Sequence, residues 1–170
     1  LGIGNFMKDL YLCKTCRTIL NTVDYHCGLC FEPICKKCAV FTVETFDYLR
    51  RVPEKLTHPC TCSICYDQEI AKPTEEYLER VEQSKEIIIF SKNESKQTRL
   101  FSRKEPAYVV EDCDDEEDAL RHMSFWAIED NFNCLIDITY AKKKIVIGSH
   151  KKFIWTGRAI PVNIDTKRLR

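Results

Sequence analysis

Glycine is scarce in this sequence, with five residues among 170. Sites that grip phosphates or oxyanions with main-chain loops depend on glycine, and the patterns Gly-x4-Gly-Lys-Ser, Gly-x-Ser-x-Gly and His-Glu-x-x-His are all missing. Histidine is also rare, and its four copies, at positions 26, 58, 122 and 150, are scattered. The sequence therefore contains no catalytic motif, and we expect a protein that is not an enzyme.

Long apolar runs are missing as well. No stretch approaches the roughly 18 to 20 apolar residues that a membrane-spanning helix requires. The first residues show no basic segment followed by an apolar one, so we expect neither a secretory leader nor a transmembrane segment. An excess of one charge sign is absent too, because Lys and Arg total 26 and Asp and Glu total 26.

Cysteine, in contrast, is abundant: the chain has eleven, and nine of them lie within residues 13–65. Two thiolates three positions apart can hold one Zn²⁺ from a tight turn, whereas nine local cysteines fit a disulfide framework poorly. The pattern predicts two Zn²⁺ ions and a reducing, intracellular compartment, either cytoplasmic or nuclear. Eight of the cysteines form four Cys-x2-Cys pairs: Cys13/Cys16, Cys27/Cys30, Cys35/Cys38 and Cys62/Cys65.

The order of the four pairs leaves two groupings open. Only four residues separate Cys30 from Cys35, so the second and third pairs are too close to enclose a core by themselves. This favours alternate pairing, with 13/16/35/38 on one ion and 27/30/62/65 on the other. The sequential grouping, 13/16/27/30 and 35/38/62/65, stays open, and His58 and Cys60 are substitute ligands for the last pair. Four thiolates close a site to water, so both sites are predicted to be structural.

The order and spacing of these cysteines resemble the FYVE-type zinc finger, a two-zinc cross-brace related to RING and ZZ modules. The segments YHCGLC at 25–30 and TCSICY at 61–66 carry the resemblance, which covers about residues 11–67. It implies a small treble-clef-like module with two structural Zn²⁺ ions. FYVE domains that bind phosphoinositides have a basic cluster before the third cysteine, and this sequence has NTVDY at 21–25. A phosphoinositide membrane is therefore not an expected partner.

The remainder of the chain predicts a β-rich domain, so the fold class is α+β with residues 1–72 as the zinc module and 73–170 as the β-rich part. Apolar residues Phe6, Met7, Leu10 and Leu12 are expected to pack on the metal core, and residues 41–51 to form a short helix. A second helix is expected to begin at Pro73 with Thr74 as its cap, and a third near 116–123. Strands are predicted at 87–90, 100–101 and 107–110, followed by a meander of 125–129, 134–140, 144–147 and 153–160 with turns at 130–131 and 148–149. Residues Cys134, Ile136, Ile138 and Tyr140 alternate with polar ones and are expected to share one face.

The charges are distributed unevenly. Seven acids lie within residues 111–118, and residues 141–170 carry nine Lys or Arg against one acid. A basic segment of this kind can bind a polyanion, although the acidic run can also neutralise it, and a solvated acidic loop is the simplest interpretation of the acids at 112, 114 and 115. Lysines would contact phosphates and an aromatic ring would stack on bases. The candidates are Lys142, Lys143, Lys144, Lys151, Lys152, Trp155 and Arg158.

These features together predict a zinc-finger interaction or adaptor protein, whose metal module is a rigid platform for a protein partner. Nucleic-acid binding through the basic C-terminal segment is the alternative function. The RING relation implies a third, a ubiquitin-ligase module. Cys113 and Cys134 are expected to be packed core residues outside any site.

Overall fold

The computed structural model describes residues 11–42, 51–92, 98–99 and 101–165. The chain divides into two compact units, one made of Leu1–Tyr48 and Val52–Glu76 and the other of Leu49–Arg51 and Tyr77–Arg170. The fold is mixed α+β, with small sheets of two to four strands and two long helices among the described residues. None of the helices in those ranges has the length and apolar character needed to cross a membrane.

The described part of the first unit contains three small antiparallel strand pairs. Strand β1 (Tyr11–Leu12) pairs with β2 (Ile19–Leu20), β3 (Tyr25–His26) with β4 (Pro33–Ile34), and β5 (Ala39–Phe41) with β6 (Cys60–Cys62). Isolated two-stranded pairs are at best marginally stable in water. The buried cluster that they surround is made of Ile34 and four cysteines, so the thiols themselves form most of this core.

A 3-10 turn, Glu54–Thr57, precedes β6, and a helical stretch follows it, comprising α1 (Ser63–Cys65), a π-helical turn (Tyr66–Ile70) and α2 (Ala71–Ser84). The predicted start at Pro73 with Thr74 as cap is therefore wrong, because Cys62 caps the stretch: its Sγ accepts the N–H of Cys65 at 3.4 Å. Proline inside a helix removes a hydrogen bond and crowds the preceding turn. The wider π turn lies just before Pro73, with Ala71 N–H bonded to Tyr66 O.

Among its described residues, the second unit contains a four-stranded sheet on which a helix packs. Strand β7 (Ile88–Ser91) runs parallel to β9 (Cys134–Ile147), which pairs antiparallel with β10 (His150–Val162), and β10 pairs antiparallel with β8 (Tyr108–Cys113). Helix α3 (Glu116–Glu129) joins β8 to β9. Strand β7, which corresponds to the strand predicted at 87–90, lies at the sheet edge and leaves Ile89 exposed.

The strand predicted for residues 125–129 is wrong, because these residues form the second half of α3. Asp115 caps this helix by accepting the N–H of Asp118 at 2.7 Å, and acids fill its first turn, where they favour helix formation. The aromatic and β-branched content of the segment reflects burial against the sheet: Ala119, Met123 and Ala127 join Leu135 and Ala159 in one core cluster.

Strand β9 is continuous through Lys142–Lys144, so the two strands predicted at 134–140 and 144–147 are one. The predicted alternation along it also fails. Asp137 has φ 54°, and the register with β10 shifts there, which is a β-bulge. Cys134 and Ile136 consequently lie in one buried cluster, whereas Ile138 and Tyr140 belong with the cluster under α3.

Several predictions fall partly or wholly beyond the described ranges. Phe6, Met7, Leu10, Leu100 and most of the helix predicted at 41–51 are among the residues that the structure does not describe. Of the rest, Leu12 is exposed in β1 instead of buried, Phe41 lies in β5 and Phe101 lies outside any strand.

Candidate metal centres

The structure brings the eight paired cysteines into two groups. Within each group the sulfur atoms lie within 4.8 Å of one another. One group contains Cys13, Cys16, Cys35 and Cys38, and the other contains Cys27, Cys30, Cys62 and Cys65. The chain thus arranges its thiols in the alternate order, and each group can hold a metal ion.

The first two cysteine pairs lie in the turns of strand pairs and share one backbone geometry. In the first, Cys13 N–H bonds to Thr18 O at 2.9 Å, and in the second, Cys27 N–H bonds to Glu32 O at 3.0 Å. The residue after each pair, Arg17 or Phe31, has a left-handed conformation with φ near 60°. This is a conformation that glycine adopts readily and that costs other residues about 1–2 kcal/mol.

The third and fourth cysteine pairs use helical turns instead. Ala39 N–H bonds to Cys35 O at 3.0 Å, and Cys62 is the N-cap of α1, which ends at Cys65. Each metal-binding group therefore combines one strand-turn pair with one helical-turn pair. Main-chain hydrogen bonds support this combination, because Lys14 bonds to Pro33 O, just before the third pair, and Gly28 to Cys60 O, just before the fourth.

The distance between two sulfurs of the first group matches that between two ligands of one zinc ion. Cys16 Sγ lies 3.7 Å from Cys35 Sγ. Four sulfurs bound to Zn²⁺ at about 2.3 Å in a tetrahedron are about 3.8 Å apart, whereas a disulfide bond is about 2.05 Å long. None of the eleven cysteines, all of which lie in described ranges, forms a disulfide.

The thiols of each group influence one another's ionisation. Burial disfavours the Cys13 thiolate, but main-chain hydrogen bonds from Cys16 and Cys35 outweigh it and lower its pKa to about 6. Burial opposes the Cys27 thiolate in the same way, and bonds from Cys30 and Cys62 lower its pKa to about 6. A hydrogen bond with Cys35, together with burial, raises the pKa of Cys38 to about 12. A divalent cation binds the thiolate form of these side chains and therefore competes with protons for them.

The substitute ligands His58 and Cys60 lie outside both groups. His58 is packed against Gly28, where an added Cβ would lie 2.7 Å from its Cβ and Cγ. Cys60 is buried in β6, and burial raises the pKa of its thiol. Both residues thus contact the module without joining its four-thiol groups.

A third group of possible metal ligands was not predicted from the sequence. Cys113, Asp118 and His122 each offer a donor atom within 4.8 Å of the other two. Asp118 and His122 are four residues apart in α3 and therefore share one face of the helix, which is a spacing that sequence reasoning can detect. The acids at 112, 114 and 115 lie outside this group. Asp115 is the helix cap, and Asp114 binds Lys152 with Oδ1 at 2.7 Å from Nζ.

The basic candidates lie on the hairpin of β9 and β10. Its register places Lys142 opposite Trp155, Lys144 opposite Phe153 and Lys151 opposite Val146. Paired residues share a face, so Lys142, Lys144 and Lys151 lie on the side that carries both rings, and Lys143 and Lys152 lie on the other. Arg158 is separate from these lysines, because it pairs with Thr139 and Val109 in the body of the sheet.

No family model matches the chain, and comparison with curated proteins and with solved structures also gives no match. The two four-cysteine groups are consistent with a zinc-finger-like module.

Proposed function

We propose that this chain is a non-enzymatic zinc-binding interaction protein, in which the first unit is a treble-clef-like scaffold that presents a surface to a protein partner. The observation that carries the proposal is the composition of the two metal groups, each with four cysteines. Four protein ligands complete the tetrahedral coordination of Zn²⁺, which leaves no position for a catalytic water or a substrate. Thiolate ligands also select zinc over magnesium or calcium, and they persist in a reducing, intracellular compartment.

The partner surface centres on Phe31. Its side chain is 76% exposed although its backbone is left-handed, with φ 60°. The strained backbone is shared with Arg17, so it is the exposed aromatic side chain that distinguishes Phe31 as a contact for a partner. Ile64, which is 42% exposed, lies between Cys62 and Cys65 of the same metal group. Both side chains are therefore attached to a backbone that zinc would hold rigid, and a rigid anchor loses little entropy on binding.

Arg17 provides a matched control for Phe31, because it has the same position and backbone in the other strand-turn pair. Both F31G and R17G should leave the zinc content unchanged. Neither should lower the free energy of unfolding, and each can raise it by up to about 1 kcal/mol. Only F31G removes the proposed anchor. The zinc-loaded chain is used to retain partner proteins from a lysate of its own cells. The amount of retained protein should fall at least tenfold with F31G and stay unchanged with R17G. Equal retention by the two variants would refute the assignment of Phe31.

A second candidate function, nucleic-acid binding, is favoured by the outer part of the β9–β10 hairpin. Strand β7 pairs with β9 only between Cys134 and Ile138, and β8 pairs with β10 only between Trp155 and Ala159. Residues 142–154 thus form a two-stranded ribbon that pairs with no further described strand. It carries five lysines and no acid.

One face of this ribbon combines positive charge with aromatic rings. Lys142 Nζ lies 4.2 Å from the centroid of the Phe153 ring and 5.0 Å from that of Trp155. Phe153 is about half exposed, as base stacking requires. On the opposite face, Lys152 already binds Asp114. We therefore assign the polyanion contact to the face that carries Lys142, Lys144 and Lys151.

The two faces supply a matched test. The variant K144A/K151A removes two lysines from the aromatic face, and K143A/K152A removes two from the other face. Binding of a single-stranded oligonucleotide should weaken strongly in the first variant, and its salt dependence should fall by about one to two in log–log slope, because each phosphate contact contributes roughly 0.7. Equal effects of the two variants, or no binding at low salt, would exclude this function. The ubiquitin-ligase hypothesis stays a prediction, since no contact described above bears on it.

A further inference from the structure

The second unit contains a buried cluster of three different metal-ligand types. Cys113 ends β8 and is fully buried, His122 is 3% exposed in α3, and Asp118 lies one turn before His122. Their donor atoms lie within 4.8 Å of one another. Thiolate, imidazole and carboxylate are the groups from which zinc sites are built. The cluster is distinct from the two four-cysteine groups, which belong to the other unit.

Neighbouring contacts orient these groups in the way that metal sites require. His122 Nδ1 lies 2.7 Å from the main-chain oxygen of Asp118, and a metal-bound histidine typically donates one ring N–H to such a carbonyl. The same ring nitrogen lies 3.5 Å from Asp118 Oδ1, so the imidazole and the carboxylate of this cluster are direct neighbours. The Asp118 carboxylate is held as well, because its Oδ2 accepts the N–H of Asp114 at 3.2 Å. The remaining oxygen, Oδ1, lies 3.8 Å from a guanidinium nitrogen of Arg121, which partly offsets its charge.

The backbone explains why the sequence order is compatible with this cluster. Asp112 has φ 57°, so the chain turns just before Cys113. Asp115 then caps α3, and the helix brings Asp118 and His122 to the side that faces the end of β8. An ion at this point would tie the last residue of a strand to the first two turns of the helix that follows it.

We propose that Cys113, Asp118 and His122 hold a third Zn²⁺ ion, with a water or main-chain oxygen in the fourth position. Because the ion would bind both the end of β8 and α3, its role would be to fix the helix on the sheet of the second unit. This assignment goes beyond the two-zinc scaffold and does not depend on it.

The test is the number of zinc ions per chain, measured by native mass spectrometry on the full-length protein after loading with excess zinc and desalting under reducing conditions. We expect three ions in the unsubstituted chain and two in C113S and in H122Q. C134S is the matched control, because Cys134 is also fully buried in this sheet but lies outside the cluster, and it should retain three.

Cobalt substitution distinguishes the third site from the two four-cysteine sites. The four-thiolate sites give intense sulfur-to-cobalt charge-transfer bands, and C113S should remove only the weaker contribution of a single thiolate. Two zinc ions in the unsubstituted chain would overturn the third site while leaving the scaffold intact. Three ions in both C113S and H122Q would also overturn it. If C113S fails to fold, the unsubstituted count and H122Q still decide the question.

Discussion

Gly157 lies at a close approach between α3 and the sheet, and adding a methyl group there tests the packing of the second unit. A Cβ at this position would lie 2.8 Å from the Cβ of Ala119 and 2.9 Å from Cε of Met123. The methionine end can rotate away, but the Ala119 methyl is fixed to the helix backbone. The variant G157A therefore forces α3 away from β10.

The expected cost follows from the overlap. Carbon atoms in contact lie about 3.5–4.0 Å apart, so the helix must shift by roughly 0.7 Å or more. Overpacking of a tight core typically costs about 1–3 kcal/mol. Removing the opposing methyl in G157A/A119G should restore much of this loss, even though glycine within a helix costs about 1 kcal/mol by itself. The two substitutions should thus be coupled by about 1–2 kcal/mol.

Urea unfolding followed by tryptophan fluorescence measures this coupling, because both tryptophans of the chain, Trp126 and Trp155, lie in the second unit. G148A is the matched control: Gly148 has φ +61° and open space around its Cβ position, so alanine is strained there without a clash. The loss of unfolding free energy in G148A/A119G should equal the sum of the losses in G148A and A119G. Additive costs for G157A and A119G would refute the described contact between α3 and β10.

Three further predictions concern metal and pH. Removing zinc with a chelator should abolish amide protection in residues 11–42, because their core consists largely of thiols, while tryptophan fluorescence from the second unit is retained; protected amides in the metal-free chain would contradict this. Lowering the pH from about 7 to 5 should release both scaffold ions, because protons compete for the thiolates, and an indicator dye should record a steeper transition than one proton gives. Hydrogen bonds from Arg103 lower the pKa of Asp137, so this ion pair stabilises the fold above the unfolded pKa of about 4 and is lost as pH falls through the lower folded value. D137N should cost about 0.5–1 kcal/mol at pH 7, as for partly exposed pairs, and flatten the acid limb of the stability curve; an unchanged acid limb would contradict the pairing.

The sequence is most informative where structure depends on local spacing. Each Cys-x2-Cys pair folds as one turn, so its geometry follows from a few consecutive residues. The short gap between Cys30 and Cys35 favours the alternate arrangement of thiols that the structure shows. The exposed, left-handed Phe31 was not predicted, because its backbone follows from the turn geometry and its exposure from the whole module.

The errors arise where long-range packing overrides local preference. Residues 125–129 have strand-like composition, but the cap at Asp115 and burial against the sheet make them helical. The alternation of apolar and polar residues along β9 predicts one buried face, but the bulge at Asp137 reverses the faces of the residues that follow. A bulge depends on the register with the partner strand, which the local sequence does not specify. The cluster of Cys113 with Asp118 and His122 was missed because a strand end and a helix must meet before the three groups become neighbours.

The central claim is that two ions are bound in the alternate order, and ¹¹³Cd NMR tests it directly. In the cadmium-loaded chain, scalar couplings between each ¹¹³Cd nucleus and cysteine Hβ protons identify the ligands of that ion. The account predicts that one nucleus couples to Cys13, Cys16, Cys35 and Cys38 and another to Cys27, Cys30, Cys62 and Cys65. Couplings of a single cadmium nucleus to both Cys13 and Cys27 would contradict it.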